Sequence, residues 1–305
     1  MSSFTDFLIH PSWCGLDIGL RSLKIVQIEN DSSILSVKID IPENSFSHEG
    51  VKDKIGLAKL IRAGLDHAYP RPIKAKFAFS ALPESLVFSK FVNIPVDTSK
   101  EIDQFAIDQA NKSFPISSNE IHLDWQFTGK EDGQETEIII VATPKNIVND
   151  LIETAAMAGL EILGIETKPI AICRTFFDKK YKDALIIIDI GAQKTTISCV
   201  ETGLLRLVSS VSIGGDDMLK DINKSAEILN TEIDRTLSYY QNKISSAKIF
   251  RKIILAGGGA NIHGIAEAVE KATKTRTIIG SPTLKMKNYN PEFAVAIGLA
   301  KNTIS

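Results

Sequence analysis

The stretch Gly15-Leu16-Asp17-Ile18-Gly19-Leu20-Arg21-Ser22 has a second copy in Ile187-Ile188-Asp189-Ile190-Gly191-Ala192-Gln193-Lys194. Each is an apolar run that ends in Asp-Ile-Gly, turns, and continues as a second apolar run. Ile25 matches Ile197 and Glu29 matches Glu201 at the same separation, 172 positions, as Asp17 and Asp189. That common offset marks an internal duplication. A glycine close behind an aspartate at a strand end lets the main chain approach an anion and turn N–H groups toward it, while the carboxylate can hold a cation through water. Two such hairpins can grip a polyphosphate from both sides.

The order of elements around each hairpin repeats as well. Alternation predicts strands over 14–18, 22–29 and 33–39, a helix over 56–69 with Leu57, Leu60, Ile61, Leu65 and Ala68 on one face, and a returning strand over 73–80. In the second half it predicts strands over 184–190, 195–200 and 204–210, a helix from about 231 to 244, and a returning strand over 252–255. The fold class is α/β, with two similar lobes facing a cleft.

Between the lobes, Thr98 and Glu101 have the spacing of a capping box for a helix carrying Ile102, Phe105, Ala106 and Ala110 on one stripe, stopped at Phe114-Pro115. Strands follow over 121–127 and 137–141. Thr143 is then placed to cap a helix with Pro144 at its first position, and Gly159 to close it. An α+β block of this length is too long for an idle connection and implies binding or a role in lobe geometry.

Composition narrows the function. The chain has 305 residues, 44% apolar and 24% charged, enough for two domains with ordinary cores that need neither metal nor disulfide. Thirty-five basic against 37 acidic side chains give a net charge of −2, so no overall field attracts nucleic acid or an anionic membrane. Cys14, Cys173 and Cys199 lie far apart in apolar stretches and read as buried, reduced thiols of a reducing compartment. No apolar run approaches the ~20 residues of a membrane helix. Residues 1–12 have no lysine or arginine and lack the head of a secretory signal; Phe4, Phe7, Leu8 and Ile9 form a short amphipathic pattern that reads as docking on the domain.

Two glycine clusters stand at strand ends. Gly214-Gly215 precedes Asp216, and Gly257-Gly258-Gly259 runs from a strand toward a helix, with room for a flat base or ribose against the backbone. The latter has neither P-loop nor dinucleotide spacing. His10, His48, His67, His122 and His263 show no metal-ligand spacing, and no Gly-x-Ser-x-Gly elbow is present.

Taken together, these motifs resemble those of the actin-like ATPase superfamily, and the chain is similar over nearly its whole length to the PilM family of type IV pilus assembly proteins. Gly15 to Gly19 with Ser22 and Lys24 resembles the first phosphate motif, Asp189 to Ala192 with Thr195-Thr196 the second, and Ile254 to Ala260 the adenosine motif. Ser113-Phe114-Pro115-Ile116 sits at the family's Ile-Pro-Phe-Pro signature, and Asn290-Pro291-Glu292-Phe293 opens a typical ending. The resemblance implies two ribonuclease-H-like lobes around a cleft with an insert of the type found in PilM and the division protein FtsA. The first lobe would span 1–83, completed by about 160–182, the insert 84–159, the second lobe 183–290, and a C-terminal helix over 291–305 would pack back on the first lobe.

By the same resemblance the ligand is ATP with magnesium, held by Asp17, Gly19, Ser22, Lys24, Asp189, Gly191, Thr195, Gly214, Gly215, Gly257, Gly258 and Gly259, with Asp17 and Asp189 reaching the metal through water. The implied partner is the N-terminal tail of a PilN-like bitopic inner-membrane protein. It would lie between the first lobe and the insert near Phe105, Phe114, Pro115 and Ile116, holding a cytoplasmic protein, singly or as a ring, at the inner membrane. Three departures bear on turnover. Only 36 residues separate Gly215 from Lys252, too few for the helical subdomain that walls the adenine pocket. Lys168 stands where an acid near the metal is common, and Leu20-Arg21 and Gln193-Lys194 fill the hairpin tips. They favour a scaffold with a weak or degenerate ATP site over an active ATPase. A sugar or acetate kinase using Asp216 or Asp217 as base is the remaining alternative.

Overall fold

The computed structural model describes residues 12–302 apart from 31–32, 48, 96–101, 133–134, 178–183, 245–249, 285 and 287–288. The amphipathic pattern over 4–9 and the Thr98–Glu101 capping box lie outside the described residues.

The first lobe opens with a meander, β1 (Trp13–Ile18), β2 (Ser22–Asn30) and β3 (Ser33–Asp40), then a small ribbon, β4 (Phe46–Ser47) and β5 (Gly50–Val51). α1 (Lys54–His67) follows, N-capped by Asp53, whose Oδ1 accepts from the Gly56 amide at 2.9 Å, and β6 (Phe77–Leu82) returns to the sheet. The insert supplies β7 (Phe88–Pro95), α2 (Ile102–Ser113), β8 (Ile121–Asp132) and β9 (Glu135–Pro144). After α3 (Lys145–Met157) come β10 (Glu161–Thr167) and α4 (Lys168–Phe176). The second lobe comprises β11 (Ala184–Ile190), β12 (Thr195–Glu201), β13 (Leu204–Val211), α5 (Gly215–Met218), α6 (Ile222–Lys243), β14 (Lys252–Ala256), α7 (Ile265–Thr273) and β15 (Arg276–Ile279), and the chain ends in α8 (Ala294–Ala300).

The two sheets have one topology, β10-β6-β1-β2-β3 and β13-β12-β11-β14-β15. Their registers repeat the sequence offset: Leu16 faces Ile25 as Ile188 faces Ile197, and Val26 faces Ser36 as Ser198 faces Val208. The duplicated hairpins are thus duplicated in hydrogen bonding, down to the turn, where Gly19 N donates to Ser22 O and Gly191 N to Lys194 O.

Between the sheets lie α4 and α8. One core cluster takes Phe79 and Ala81 from the first lobe, Ile187, Ile254 and Ala256 from the second, and Ala171, Val295 and Leu299 from these helices. Close approach explains two glycines here: a Cβ at Gly15 would stand 2.1 Å from Ala296 O, and one at Gly298 1.8 Å from Ala171 O.

Several elements differ from the sequence expectation. α6 begins nine residues before position 231, because Asp221 caps it through the Lys224 amide and Ala226, Leu229, Ile233 and Tyr240 continue its buried stripe. Thr143 does not cap α3; its hydroxyl donates to Leu86 O at 2.8 Å, and Pro144 occupies the cap position. α3 itself packs in the first lobe, where Ile147, Val148, Leu151 and Ala155 join the core formed with α1. The strands β7, β10 and β15 have no counterpart in the sequence reading.

Candidate functional site: an interlobe cleft and an adjoining groove

A cavity of about 340 Å³ lies between the lobes at the carboxyl ends of β1, β11 and β14, where the helix-bearing turns of such sheets leave a crevice. Pairing across each meander sets equivalent side chains in a row: Asp17, Lys24 and Lys38 in the first lobe, Asp189, Thr196 and Ser210 in the second. All six line the cavity. The first lobe therefore presents one carboxylate and two ammoniums, the second one carboxylate and two hydroxyls. Thr195, the expected ligand of the second hairpin, lies on the opposite strand face, buried, with its hydroxyl donating to Ile213 O at 2.7 Å. The offset itself pairs Lys24 with Thr196 and could have identified it. Gly19, Ser22, Gly191, Gly215, Gly257, Gly258 and Gly259 also line the cavity, whereas Gly214 does not and closes the α5 turn.

Charge is concentrated around Asp17, only 3% exposed. Lys168, the first residue of α4, places Nζ 2.6 Å from Asp17 Oδ1 and donates to Ile18 O at 2.9 Å, while Lys24 Nζ stands 3.9 Å from Asp17 Oδ2. Burial pushes the Asp17 carboxyl up, but Lys168 and Lys24 together outweigh it and hold Asp17 below the usual carboxylate range. Asp189 goes the other way: burial dominates, the charge of Asp17 adds to it, and the same lysines offset it only in part. This environment does not fit magnesium. Asp17 is already paired with two cations, and each ammonium within ~4 Å of a metal ion would be repelled by about 4 kcal/mol per unit charge product at an effective dielectric of 20. Among the described residues no group of three or more His, Cys, Asp or Glu is arranged to hold a metal.

The backbone corrects a second expectation. The amides of Gly19, Gly191, Gly215 and Gly257 do not await an anion: they donate to Ser22 O, Lys194 O, Gly191 O and Pro291 O at 2.8–3.1 Å. Those of Leu20, Arg21, Ala192 and Gln193, at the hairpin tips lining the cavity, have no intramolecular acceptor among the described residues. Within the triple glycine the roles also divide. A Cβ at Gly259 would meet Ile190 Cγ2 at 2.1 Å and one at Gly257 would meet Asp189 Oδ1 at 2.3 Å, so both serve close packing, whereas Gly258 has open space and faces the cleft. Between β13 and β14 the described residues contain only α5 and α6, and a Cβ at Gly258 would find no heavy atom within 4 Å. Two ion pairs cross the cleft mouth, Arg21–Asp216 at 2.6 Å and Lys38–Glu292 at 2.8 Å.

The insert is a three-stranded sheet, β7-β9-β8, with α2 on one face. Ile138, Ile140 and Ala142 point to α2 and meet Ile102, Ala106 and Ala110. Phe105 and Phe114 belong to this packing, Phe114 stacking on Phe88 with ring centroids 5.5 Å apart; Ile116 packs beside them and Pro115 is exposed. The other face carries Phe91, Ile139 and Val141 and opens on a groove of about 640 Å³. Across it stand Leu205, Arg206 and Leu207 of β13, the edge strand of the second sheet, and Tyr239 of α6, with Glu84, Thr167 and Ile170 of the first lobe at its base. Arg206 spans the groove to Glu137 at 3.0 Å, both side chains 11% exposed. Glu84 lines both the groove and the cleft, and burial, partly offset by a hydrogen bond from Ser89, pushes its carboxyl up to about 7.

Comparisons with known proteins agree with this architecture. The division protein FtsA of Streptococcus pneumoniae is 26% identical over 239 residues, 69% of this chain and 51% of the relative, and that of Bacillus subtilis is 27% identical over 126 residues, 40% of this chain and 29% of the relative, so the match spans about half or less of these curated relatives. In structure the chain resembles a PilM–PilN type IV pilus biogenesis complex, with a TM-score of 0.76 at 19% identity over 94% of this chain and 96% of that one. MreB5 of Spiroplasma citri bound to ADP matches with a TM-score of 0.53 at 12% identity over 95% of each chain. Both likenesses are of fold, that of an actin-like ATPase. No described helix is long and apolar enough to cross a membrane. The family model for cell division protein FtsA matches residues 186–298, and that for type IV pilus assembly protein PilM matches residues 15–230, from the first hairpin through the insert into α6, so the chain belongs to the PilM family of type IV pilus assembly proteins.

Proposed function

We propose that this protein is an actin-like adaptor of the type IV pilus inner-membrane complex, seating the N-terminal cytoplasmic tail of a PilN-like membrane protein and carrying a weak site for ATP. The observation that carries the reading is the groove between the insert and the lobes, in a chain whose fold follows that of a PilM–PilN complex. An extended tail suits such a place. The β13 and β7 edges offer main-chain hydrogen bonds, and Phe91, Ile139 and Val141, unclaimed by α2, can take alternate apolar side chains of the tail. Phe105, Phe114 and Ile116 support this surface from behind, as parts of the insert's own core.

The nucleotide half of the proposal rests on the hairpin tips, Lys24, Lys168, Thr196 and Ser210 around one cavity. The open space at Gly258 and the short α5–α6 stretch between β13 and β14 support weak binding and a scaffold over a turnover enzyme. Titration calorimetry of a synthetic tail peptide tests the adaptor role. Ile139→Asp, on the groove face, should abolish binding, and Pro115→Ala, exposed in the turn after α2, should leave it intact. Unchanged affinity in Ile139→Asp would move the partner to another surface.

A further inference from the structure

We infer that the cleft takes the polyphosphate of a nucleotide without a divalent cation, Lys168 and Lys24 supplying from the chain itself the positive charge that a metal would bring. The inference rests on the nucleotide reading above and names the form of ligand that site accepts. Five carboxylates line the cavity, Asp17, Glu84, Asp189, Asp216 and Glu292. Three of them are ion-paired: Asp17 with Lys168 and Lys24, Asp216 with Arg21, Glu292 with Lys38. The other two, Asp189 and Glu84, belong to no group of three or more His, Cys, Asp or Glu arranged to hold a metal among the described residues. Magnesium beside a polyphosphate takes oxygens of water, phosphate and one or two carboxylates, and here the hairpin carboxylate Asp17 is already held by two ammoniums, the nearer at 2.6 Å, that would stand beside the ion.

Lys168 is, by contrast, positioned for an anion. Its ammonium carries three protons, donates to Ile18 O, is ion-paired with Asp17 at 2.6 Å, and belongs to a side chain that lines the cavity. It stands on the first turn of α4, whose unpaired amides add positive potential. Opposite it the second lobe offers Thr196 and Ser210, neutral hydroxyls that can donate to phosphate oxygens but bring no charge to hold a metal.

The test is equilibrium binding of a fluorescent ATP analogue to the full chain, in magnesium and in EDTA, for the wild type, Lys168→Gln and Lys168→Glu, with Mn²⁺ paramagnetic resonance on the protein alone. The wild type should bind with affinities within about twofold in the two buffers and should leave the Mn²⁺ spectrum unchanged. Lys168→Gln should lose about tenfold or more of the metal-free affinity, and Lys168→Glu should bind only when magnesium is present. Because Lys168→Glu could perturb the fold, Asp17→Asn serves as a second variant; it releases both lysines and should tighten metal-free binding, where loss of a metal site would weaken it. Wild-type affinity that falls about tenfold in EDTA, or a bound Mn²⁺ signal, overturns the inference alone. Absence of saturable binding in both buffers overturns the nucleotide reading and this inference with it.

Discussion

Gly258 and Gly259 are adjacent and chemically identical, yet only one has room for a side chain. Gly259→Ala forces Cβ into Ile190 and should cost about 1–3 kcal/mol of stability, while Gly258→Ala should stay within about 0.5 kcal/mol and act on ligand binding alone; chemical denaturation of the two variants separates them. Glu84 gives a pH signature. Its folded value of about 7 lies above the ordinary 4.5, so the stability tied to its protonated form is present below about 4.5 and is lost as pH rises through about 7. Glu84→Gln should therefore match the wild type in acid and exceed it in stability above pH ~7, read as a difference in denaturation midpoint that grows across that window. Asp17 works in the opposite sense, its contribution being lost only as pH falls below the ordinary carboxylate range. A repeated motif with a fixed offset carries position as well as type, and Asp17, Asp189, Lys24 and most of the glycines it marks line one cavity. The sequence offers Thr195 and Thr196 as adjacent hydroxyls, and the offset from Lys24 singles out Thr196 as the one on the cleft. It could not show that Lys168 would close on Asp17, a contact between residues 151 positions apart that only the fold brings together.

At the level of elements, the strands of the two meanders were legible from alternation and their shared turns. The fifth strands, β10 and β15, were not: β10 carries Gly164 at a register shift and β15 has four residues, too few for a period to register. β7 escaped because it ends in Pro95, which is tolerated only since the strand lies at an edge. The capping of α6 by Asp221 should be worth about 1 kcal/mol, the loss expected of Asp221→Ala in thermal denaturation. The tie between insert and second lobe is stronger. Arg206 and Glu137 are both nearly buried, so Arg206→Ala leaves Glu137 with the Thr128 hydroxyl at 2.8 Å but without its cation and should cost about 3 kcal/mol, whereas replacing both partners by apolar residues should recover most of that loss. Equal losses in the single and double variants would show that the pair contributes packing alone.

Across the whole molecule, two matched sheets, with α4 and α8 between them, enclose a cleft, and the insert leans across the second lobe to form the groove. Glu84 touches both cavities, and Arg21–Asp216 joins the lobes at the mouth of one of them. That pair is exposed, so Arg21→Ala should alter stability by less than about 1 kcal/mol while freeing the lobes to open. The adaptor claim is tested most directly by amide hydrogen exchange of the full chain with and without the synthetic tail of its PilN-like partner. Protection should appear on β7, β9 and β13 and leave α2 unchanged. Protection confined to α2, or none on the strands that border the groove, would contradict it.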